Sequence, residues 1–139
     1  MIDNNELKNK LIEEYNKILL KIGANKEDYP LAFKDNYNAK PYIEFDTNGI
    51  IYYVVKERGD ELERRKTDSL DEILFWIISY VIFKEANNFE IKHRVPNQDI
   101  RRLLFSEEIR LMNLISEIWA ERIKLKQEEI LRDYPFHNN

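Results

Sequence analysis

Two histidines, His93 and His137, are the side chains of this sequence best suited to act as a general base near neutral pH. Nucleophilic catalysis needs such a base within hydrogen-bond reach of a serine, cysteine or lysine, with a third group to orient it. His93 stands between two cations, Lys92 and Arg94, and His137 is close to the end of the sequence. Neither position suggests an oriented nucleophile–base pair. The sequence therefore favours a protein that is not an enzyme.

Metal, cofactor and phosphate sites also lack the residues they require. The chain has no cysteine and three isolated glycines. These counts exclude disulfides, thiolate metal sites and glycine-rich phosphate loops. There is no HExxH motif and no acidic loop of the EF-hand type. The neighbouring acids Asp71 and Glu72 point in different directions on a helix, so they do not form the paired carboxylates of a glycosidase. We expect no cofactor, no metal and no catalytic residue.

Two groups of charged residues have a more ordered arrangement. Glu57, Arg58 and Gly59 close a predicted strand at a turn. The second group flanks Pro96 and comprises Arg94, Asp99, Arg101 and Arg102. One interpretation is that the arginines form forked ion pairs with carboxylates such as Asp99 or Glu57 and hold helix to sheet. Another is that they rim a concave binding face. A third is an enzyme built around Arg58, Arg94 and Asp99, which requires a deep pocket joining them.

The length and charge of the chain favour one acidic domain, spanning residues 1–139. A chain of 139 residues has the commonest size of a single domain. Its net charge of −4 argues against direct nucleic-acid binding and would steer a basic protein towards it. The first residues are polar and acidic, unlike a secretory signal, and the apolar block 73–83 is about half of a bilayer span. We expect a cytoplasmic protein that does not bind membranes.

The elements that must position these residues begin with a helix and a sheet. Apolar residues at helical spacing predict an amphipathic helix over 6–22, capped by Asn4 or Asn5 and ended by Gly23. A loop over 24–40 contains three aromatic residues that we expect to pack down: Tyr29, Phe33 and Tyr37. Turn signals then separate three short segments of strand character, which predict an antiparallel meander over 41–45, 50–55 and 61–66.

The remainder of the chain is predicted to be helical. Ser69 and Glu72 form a capping box that opens a buried central helix over 70–86. Asn97 is predicted to cap a short helix that ends at Leu104, and a last helical stretch over 106–131 is expected to break near Ser116. Trp76 and Trp119 are interpreted as core residues. The fold class is therefore α+β: an N-terminal helix, a three-stranded meander, and then a central helix and C-terminal helices packed on the sheet.

The third strand is charged on both faces, as expected of an exposed edge that resists stray strand pairing. This edge also argues for a monomer rather than a homo-oligomer. If the protein works by binding a partner, the edge strand and its turn are the best candidate surface, with tyrosines as anchors. The predicted partner-binding residues are Asp60, Glu61, Glu63, Tyr42 and Tyr52.

The ordered series of motifs resembles the Immunity protein 63 family of bacterial polymorphic toxin systems. The series begins with the tyrosine-rich strand 52–55 and continues through the following residues: Glu57, Arg58, Gly59, Thr67, Asp71, Glu72, His93, Arg94, Gln98, Asp99, Arg101, Arg102, Phe105, Trp119, Tyr134, Pro135 and Phe136. The resemblance covers the chain from Pro41 onward. The resemblance leaves two roles open for the motif residues: they stabilise the fold, or they contact the partner.

The resemblance implies a small α+β protein that binds the C-terminal domain of a toxin encoded beside it and blocks that domain. It implies neither catalysis nor a cofactor. An acidic inhibitor would suit the basic surface of a nuclease toxin. The alternative is a non-catalytic adaptor or regulatory binding protein of an unrelated pathway, which the genes flanking its own would distinguish.

Overall fold

The computed structural model describes residues 3–35 and 39–137. In chain order these residues form α1 (Asn4–Lys21), β1 (Tyr42–Phe45), β2 (Ile51–Glu57), β3 (Asp60–Thr67), α2 (Leu70–Lys92), α3 (Ile100–Asn113) and α4 (Glu117–Asp133). A helix, three consecutive strands and then helices are the order that the sequence predicts. The α+β class is confirmed.

The internal contacts of the chain divide it into two compact units. The first unit lies within Met1–Leu20 and Asn25–Ser79, and the second within Lys21–Ala24 and Tyr80–Asn139. Each unit is described by itself below. The prediction of a single domain over residues 1–139 stays a prediction.

The first unit contains the sheet, in which β2 lies between β1 and β3 and pairs antiparallel with both. Ile51, Tyr53 and Val54 of β2 are buried, because a central strand is covered on both of its faces. Residues 60–64 of β3 are exposed, as predicted for a charged edge strand.

A β-bulge interrupts the pairing of β2 with β3. Val55 pairs with Glu63, but the next residue of β2, Lys56, pairs with Glu61. Leu62 is therefore the extra residue of the bulge, and its side chain is 59% exposed. The bulge shifts the side-chain alternation of β3, so residues before and after Leu62 do not follow one period of two.

Helix α1 begins earlier than the sequence predicts. The Asp3 carboxylate accepts a hydrogen bond from the Glu6 backbone N–H at 2.8 Å, so Asp3 caps the helix instead of Asn4 or Asn5. The Asn4 side chain instead donates to the Asp46 carbonyl oxygen, at 3.2 Å. Gly23 follows the helix with φ of +66°, as expected of a residue that ends a helix in the left-handed region.

The loop after α1 packs down through its aromatic residues, as predicted. The Tyr15 hydroxyl donates to the Tyr29 carbonyl oxygen at 2.7 Å. Phe33 stacks on Phe45, with ring centroids 6.0 Å apart. The third predicted aromatic, Tyr37, lies outside the described residues.

Helix α2 opens with the predicted cap, since the Glu72 backbone N–H donates to the Ser69 hydroxyl at 3.1 Å. It continues to Lys92, beyond the predicted end at residue 86. Many of its apolar side chains are buried, including Ile73, Ile78 and Ile82. Trp76 has intermediate burial and packs edge-on against the buried Tyr53, so it lies at the margin of the core.

In the second unit, α3 is one continuous helix over Ile100–Asn113, whereas the sequence analysis divides this stretch after Leu104. The cap is Asp99, whose carboxylate accepts from the Arg101 backbone N–H at 3.0 Å. Asn97 instead takes a φ of +64° in the preceding turn, a conformation that asparagine tolerates well. Ser106, the predicted first residue of the last helical stretch, is an exposed residue inside α3.

The predicted break at Ser116 is confirmed. Its hydroxyl accepts from the Trp119 backbone N–H at 3.1 Å and so caps α4. Trp119 and Ile123 of α4 are buried. The buried Gln127 side chain donates to the Phe105 carbonyl oxygen of α3 at 3.1 Å, which joins the two helices.

Candidate partner-binding surface

The turn between β2 and β3 is a two-residue hairpin loop. Glu57 pairs with Asp60, and the two residues between them, Arg58 and Gly59, have φ of +53° and +84°. Positive φ at both central positions is the feature of a type I′ turn, whose twist matches that of the flanking strands. Glu57, Arg58, Gly59 and Asp60 are all exposed. The turn therefore presents a cation among acids at the tip of the hairpin.

Arg64 of β3 joins residues from all three strands on one face of the sheet. Its Nε donates to Glu61 at 2.9 Å and its Nη1 donates to Glu44 of β1 at 3.1 Å. Its guanidinium carbon lies 5.3 Å from the centre of the Tyr52 ring. The two carboxylates raise the pKa of Arg64, with Glu61 contributing most. We call these four residues, together with Asp46, the Arg64 cluster.

Asp46 fixes the position of the Tyr52 side chain in this cluster. The Tyr52 hydroxyl donates to Asp46 Oδ2 at 3.1 Å, and the backbone N–H groups of Asn48 and Ile50 donate to Oδ1. The bond from Ile50 is the main cause that lowers the pKa of Asp46. The bond to Asp46 raises the pKa of Tyr52. The carboxylate thus shapes the β1–β2 turn and orients an aromatic side chain.

The Arg64 cluster is exposed and rich in charged side chains. The side chains of Arg64, Glu44 and Glu61 are 36%, 39% and 41% exposed, enough to contact another protein. The cluster holds three carboxylates, and three cations lie among them: Arg64, Lys66 near Asp46, and Lys56, which pairs with Glu61 and interacts with Glu44. The formal charges balance, and the exposed carboxylates of Glu44 and Glu61 are the groups that could meet cations of a partner.

A second group, the Arg65 cluster, contains Glu63, Arg65, Tyr53 and Trp76. Arg65 Nε lies 2.6 Å from Glu63 Oε2. The guanidinium carbon lies 4.4 Å from the Tyr53 ring centre and 4.8 Å from that of Trp76. Such cation–π contacts account for the half-buried position of Trp76, which the sequence analysis assigns to the core.

The two clusters lie on opposite faces of the sheet, because Arg64 pairs with Val54 and Arg65 pairs with Tyr53, the next residue of β2. Glu61 and Glu63 are two residues apart and would share a face in a regular strand. The bulge at Leu62 separates them, so each carboxylate binds a different arginine. The predicted acidic patch is therefore divided between two surfaces.

Tyr42 does not contribute to either exposed cluster. Its side chain is only 2% exposed, which makes it one of the largest fully buried side chains of the protein. It pairs with Val54 of the central strand, and Val54 is completely buried. The assignment of Tyr42 as an exposed partner-binding anchor needs correction: it belongs to the apolar core.

The second unit holds the remaining charged residues of the motif series, and here the arginines form local forked ion pairs. Arg94 donates to both Glu90 oxygens, at 3.0 and 2.8 Å, and Arg101 donates to both Asp99 oxygens, at 3.2 and 2.8 Å. Glu90 and Asp99 are 2% and 1% exposed. Both carboxyl groups have a pKa below the usual range, because the hydrogen bonds from arginine outweigh burial.

The Asp99–Arg101 pair also binds the segment that follows α4. Arg101 donates to the carbonyl oxygens of Tyr134 at 2.8 Å and Pro135 at 3.0 Å. The His137 backbone N–H donates to Asp99 at 3.1 Å. The Arg102 guanidinium lies over another residue of this segment, 4.2 Å from the ring centre of Phe136. The forked pairing of Arg101 with Asp99 agrees with the first interpretation made from the sequence, but these residues bind the segment after α4 and do not join a helix to the sheet.

Among residues 3–35 and 39–137, no group of three or more His, Cys, Asp and Glu side chains is placed to hold a metal ion. Within the same residues, no helix has the length and apolarity needed to cross a membrane.

A sequence profile described as Immunity protein 63 matches residues 47–129, more than half of the chain. The chain belongs to the Immunity protein 63 family. The expected resemblance is thereby confirmed, with narrower limits than Pro41 to the C-terminus. No curated protein and no solved structure matches the chain.

The family match includes both hairpin strands β2 and β3, and it includes the turn with Arg58 and Gly59. It also includes Arg94, Asp99 and the buried Trp119. Helix α1, strand β1 and the segment after α4 lie outside the match. Glu44 is therefore a residue of the Arg64 cluster that the family match does not cover.

Arg64 and Glu44 are exposed members of the candidate surface that were not predicted from the sequence. The register of the hairpin is the signal that places Arg64, but a two-residue turn with regular pairing would place Glu63, not Arg64, opposite Val54. Only the bulge brings Arg64 to that position, and nothing in the local sequence marks Leu62 as its extra residue.

Proposed function

We propose that this protein is an immunity protein that binds a cognate bacterial toxin domain in the cytoplasm and keeps it inactive without catalysing a reaction. Membership of the Immunity protein 63 family is the observation that carries the proposal. The forked ion pairs support the absence of catalysis: they commit Arg94 and Asp99, two residues of the suggested enzyme site, to structural partners.

The proposed contact surface is the Arg64 cluster. Asp60, another predicted contact residue, pairs with Glu57 and so belongs to the opposite face at the tip of the hairpin. Tyrosine and arginine are enriched among residues that dominate binding energy, and Tyr52 and Arg64 stand side by side here. The surrounding carboxylates would meet a basic toxin surface, such as that of a nuclease. A stable complex would bury roughly 800 Å² on each partner, so residues beyond this cluster also contribute.

Reversing the charge of one glutamate at a time tests this surface. The toxin domain encoded beside the gene is titrated with the wild-type protein, with Glu61→Lys and with Glu63→Lys, and affinity and association rate are measured. We expect Glu61→Lys to weaken binding about tenfold, or about 1.4 kcal/mol, mainly through slower association. Glu63→Lys is the matched control, because the same charge change occurs on the opposite face of the sheet.

The binding measurements distinguish the immunity function from the location of the contact surface. If the wild-type protein does not bind the toxin domain, the immunity function is wrong. If it binds and Glu61→Lys binds equally well, the function stands but the Arg64 cluster is not the interface. A loss confined to Glu63→Lys would place the interface at the Arg65 cluster instead.

A further inference from the structure

Arg58 adopts a backbone conformation that its residue type disfavours. Its φ of +53° lies in the left-handed region, where the Cβ of an L-residue crowds the backbone. Type I′ hairpin turns strongly prefer Asn, Asp or Gly at this position. The other turn of the same meander places a glycine, Gly49, in the left-handed region, with φ of +81°. The β2–β3 turn instead places an arginine in this region, beside Gly59.

The side chain of Arg58 forms no ion pair that would offset this strain within residues 3–35 and 39–137, where no carboxylate lies within 4.0 Å of its guanidinium. The neighbouring arginines Arg64 and Arg65, by contrast, each bind a glutamate. Arg58 is exposed at the tip of the hairpin. A strained residue with a free charge at such a position is the kind of outlier from which a functional role is inferred.

The charges around Arg58 indicate what it binds. Residues 57–63 contain four acids, and Arg58 is their one cation. A uniformly basic partner surface would be attracted by those acids and repelled by Arg58. A basic surface with one acidic side chain opposite the turn would match both the four acids and Arg58. Arginine can bind such a carboxylate with two parallel hydrogen bonds.

We propose that Arg58 is a specificity-determining contact that receives a carboxylate of the toxin at the tip of the β2–β3 hairpin. The inference rests on the proposed immunity function and adds to it a requirement on the partner. The cognate toxin carries an acidic residue within an otherwise basic contact surface. A related toxin with a lysine or arginine at that point is rejected by like-charge repulsion.

Relief of the strain and loss of the contact can be measured on the same variants. Arg58→Asn and Arg58→Gly both suit the positive φ, so each should melt at the same or a higher temperature than the wild-type protein. Each should bind the cognate toxin domain at least tenfold more weakly, mainly through faster dissociation. Arg132→Gln removes an exposed arginine of α4 and should change neither property.

Three results separate the possibilities. Wild-type affinity in both Arg58 variants, with binding by the wild-type protein intact, overturns this inference alone. Absence of binding by the wild-type protein overturns the immunity function and this inference together. If the variants do weaken binding, single alanine substitutions of the toxin's surface acids should identify one whose effect disappears when Arg58 is replaced. Additive effects at every acid would contradict a carboxylate contact.

Discussion

At the scale of single residues, Asp99 illustrates how burial and charge are reconciled in this protein. It is 1% exposed, and burial by itself would favour its neutral form. The Arg101 side chain, the Arg101 backbone N–H and the His137 backbone N–H all donate to its oxygens, and together they hold the pKa of the carboxyl well below its usual range. The charged form is therefore part of the folded structure.

This pKa predicts acid sensitivity. A carboxyl whose folded pKa lies below its ordinary value of 3.8 stabilises the fold above about pH 4, and that contribution is lost as the pH falls further. Asp99→Asn should lower the melting temperature at pH 7, and the difference from the wild-type protein should shrink between pH 4 and pH 2. Melting curves across this range are the measurement, with the exposed Glu129→Gln as control. A difference that is constant with pH would contradict the assignment.

Tyr42 gives a second prediction at the residue scale. A buried tyrosine contributes to the stability of the fold, whereas an exposed interface tyrosine contributes to binding and little to stability. Replacing a fully buried aromatic residue by alanine removes apolar contacts and leaves a cavity. Tyr42→Ala should therefore lower the free energy of unfolding by roughly 3 kcal/mol or more in urea denaturation. Tyr134→Ala, at a position 71% exposed, is the control and should change it by less than about 0.5 kcal/mol. Unchanged stability of Tyr42→Ala would return this residue to the candidate surface.

At the scale of elements, local sequence signals predicted what depends on neighbouring residues and missed what depends on pairing. Ser69 was predicted as a helix cap and Ser116 as a break in a helix, and in the structure both hydroxyls accept from an amide three residues away. The bulge at Leu62 is a property of two strands together, and the spacing of residues in β3 alone does not reveal it. Because the bulge was not predicted, Glu61 and Glu63 were expected to form one acidic patch, whereas they lie on two surfaces.

The helix caps can be tested against a serine that has no capping role. Ser116→Ala should lower the free energy of unfolding by about 1 kcal/mol, because the Trp119 N–H loses its acceptor at the start of α4. Ser106→Ala, inside α3, should leave stability unchanged or raise it by a few tenths of a kcal/mol, since alanine is the better helix former. Urea denaturation measures both. An equal loss in Ser106→Ala would support the helix start that the sequence analysis places there.

At the scale of the whole molecule, the order of elements and the acidic balance were predictable. Hydrophobic periodicity and turn residues specify a helix, a meander and further helices, in agreement with the structure. The candidate site was predicted only in part. Glu61 and Tyr52 lie on the proposed face, but Tyr42 is buried, and Asp60 and Glu63 belong to the other side of the sheet. Side-chain direction in a sheet depends on register, which composition and local spacing do not determine.

The acidic residues behind the net charge of −4 are also paired differently in the two units. In the second unit, the buried acids Glu90, Asp99 and Glu107 are each neutralised by a nearby arginine. In the first unit, acidic residues outnumber basic ones, so long-range attraction of a basic toxin would come from this unit.

The most direct test of the immunity function is co-expression of this protein with the C-terminal toxin domain encoded in the neighbouring gene, followed by affinity purification and a count of surviving cells. We expect the toxin domain to kill cells when it is expressed alone. With this protein present, the cells should survive and the two chains should purify as one stable complex. Failure of the chains to associate, or death of the cells despite this protein, would contradict the proposed function.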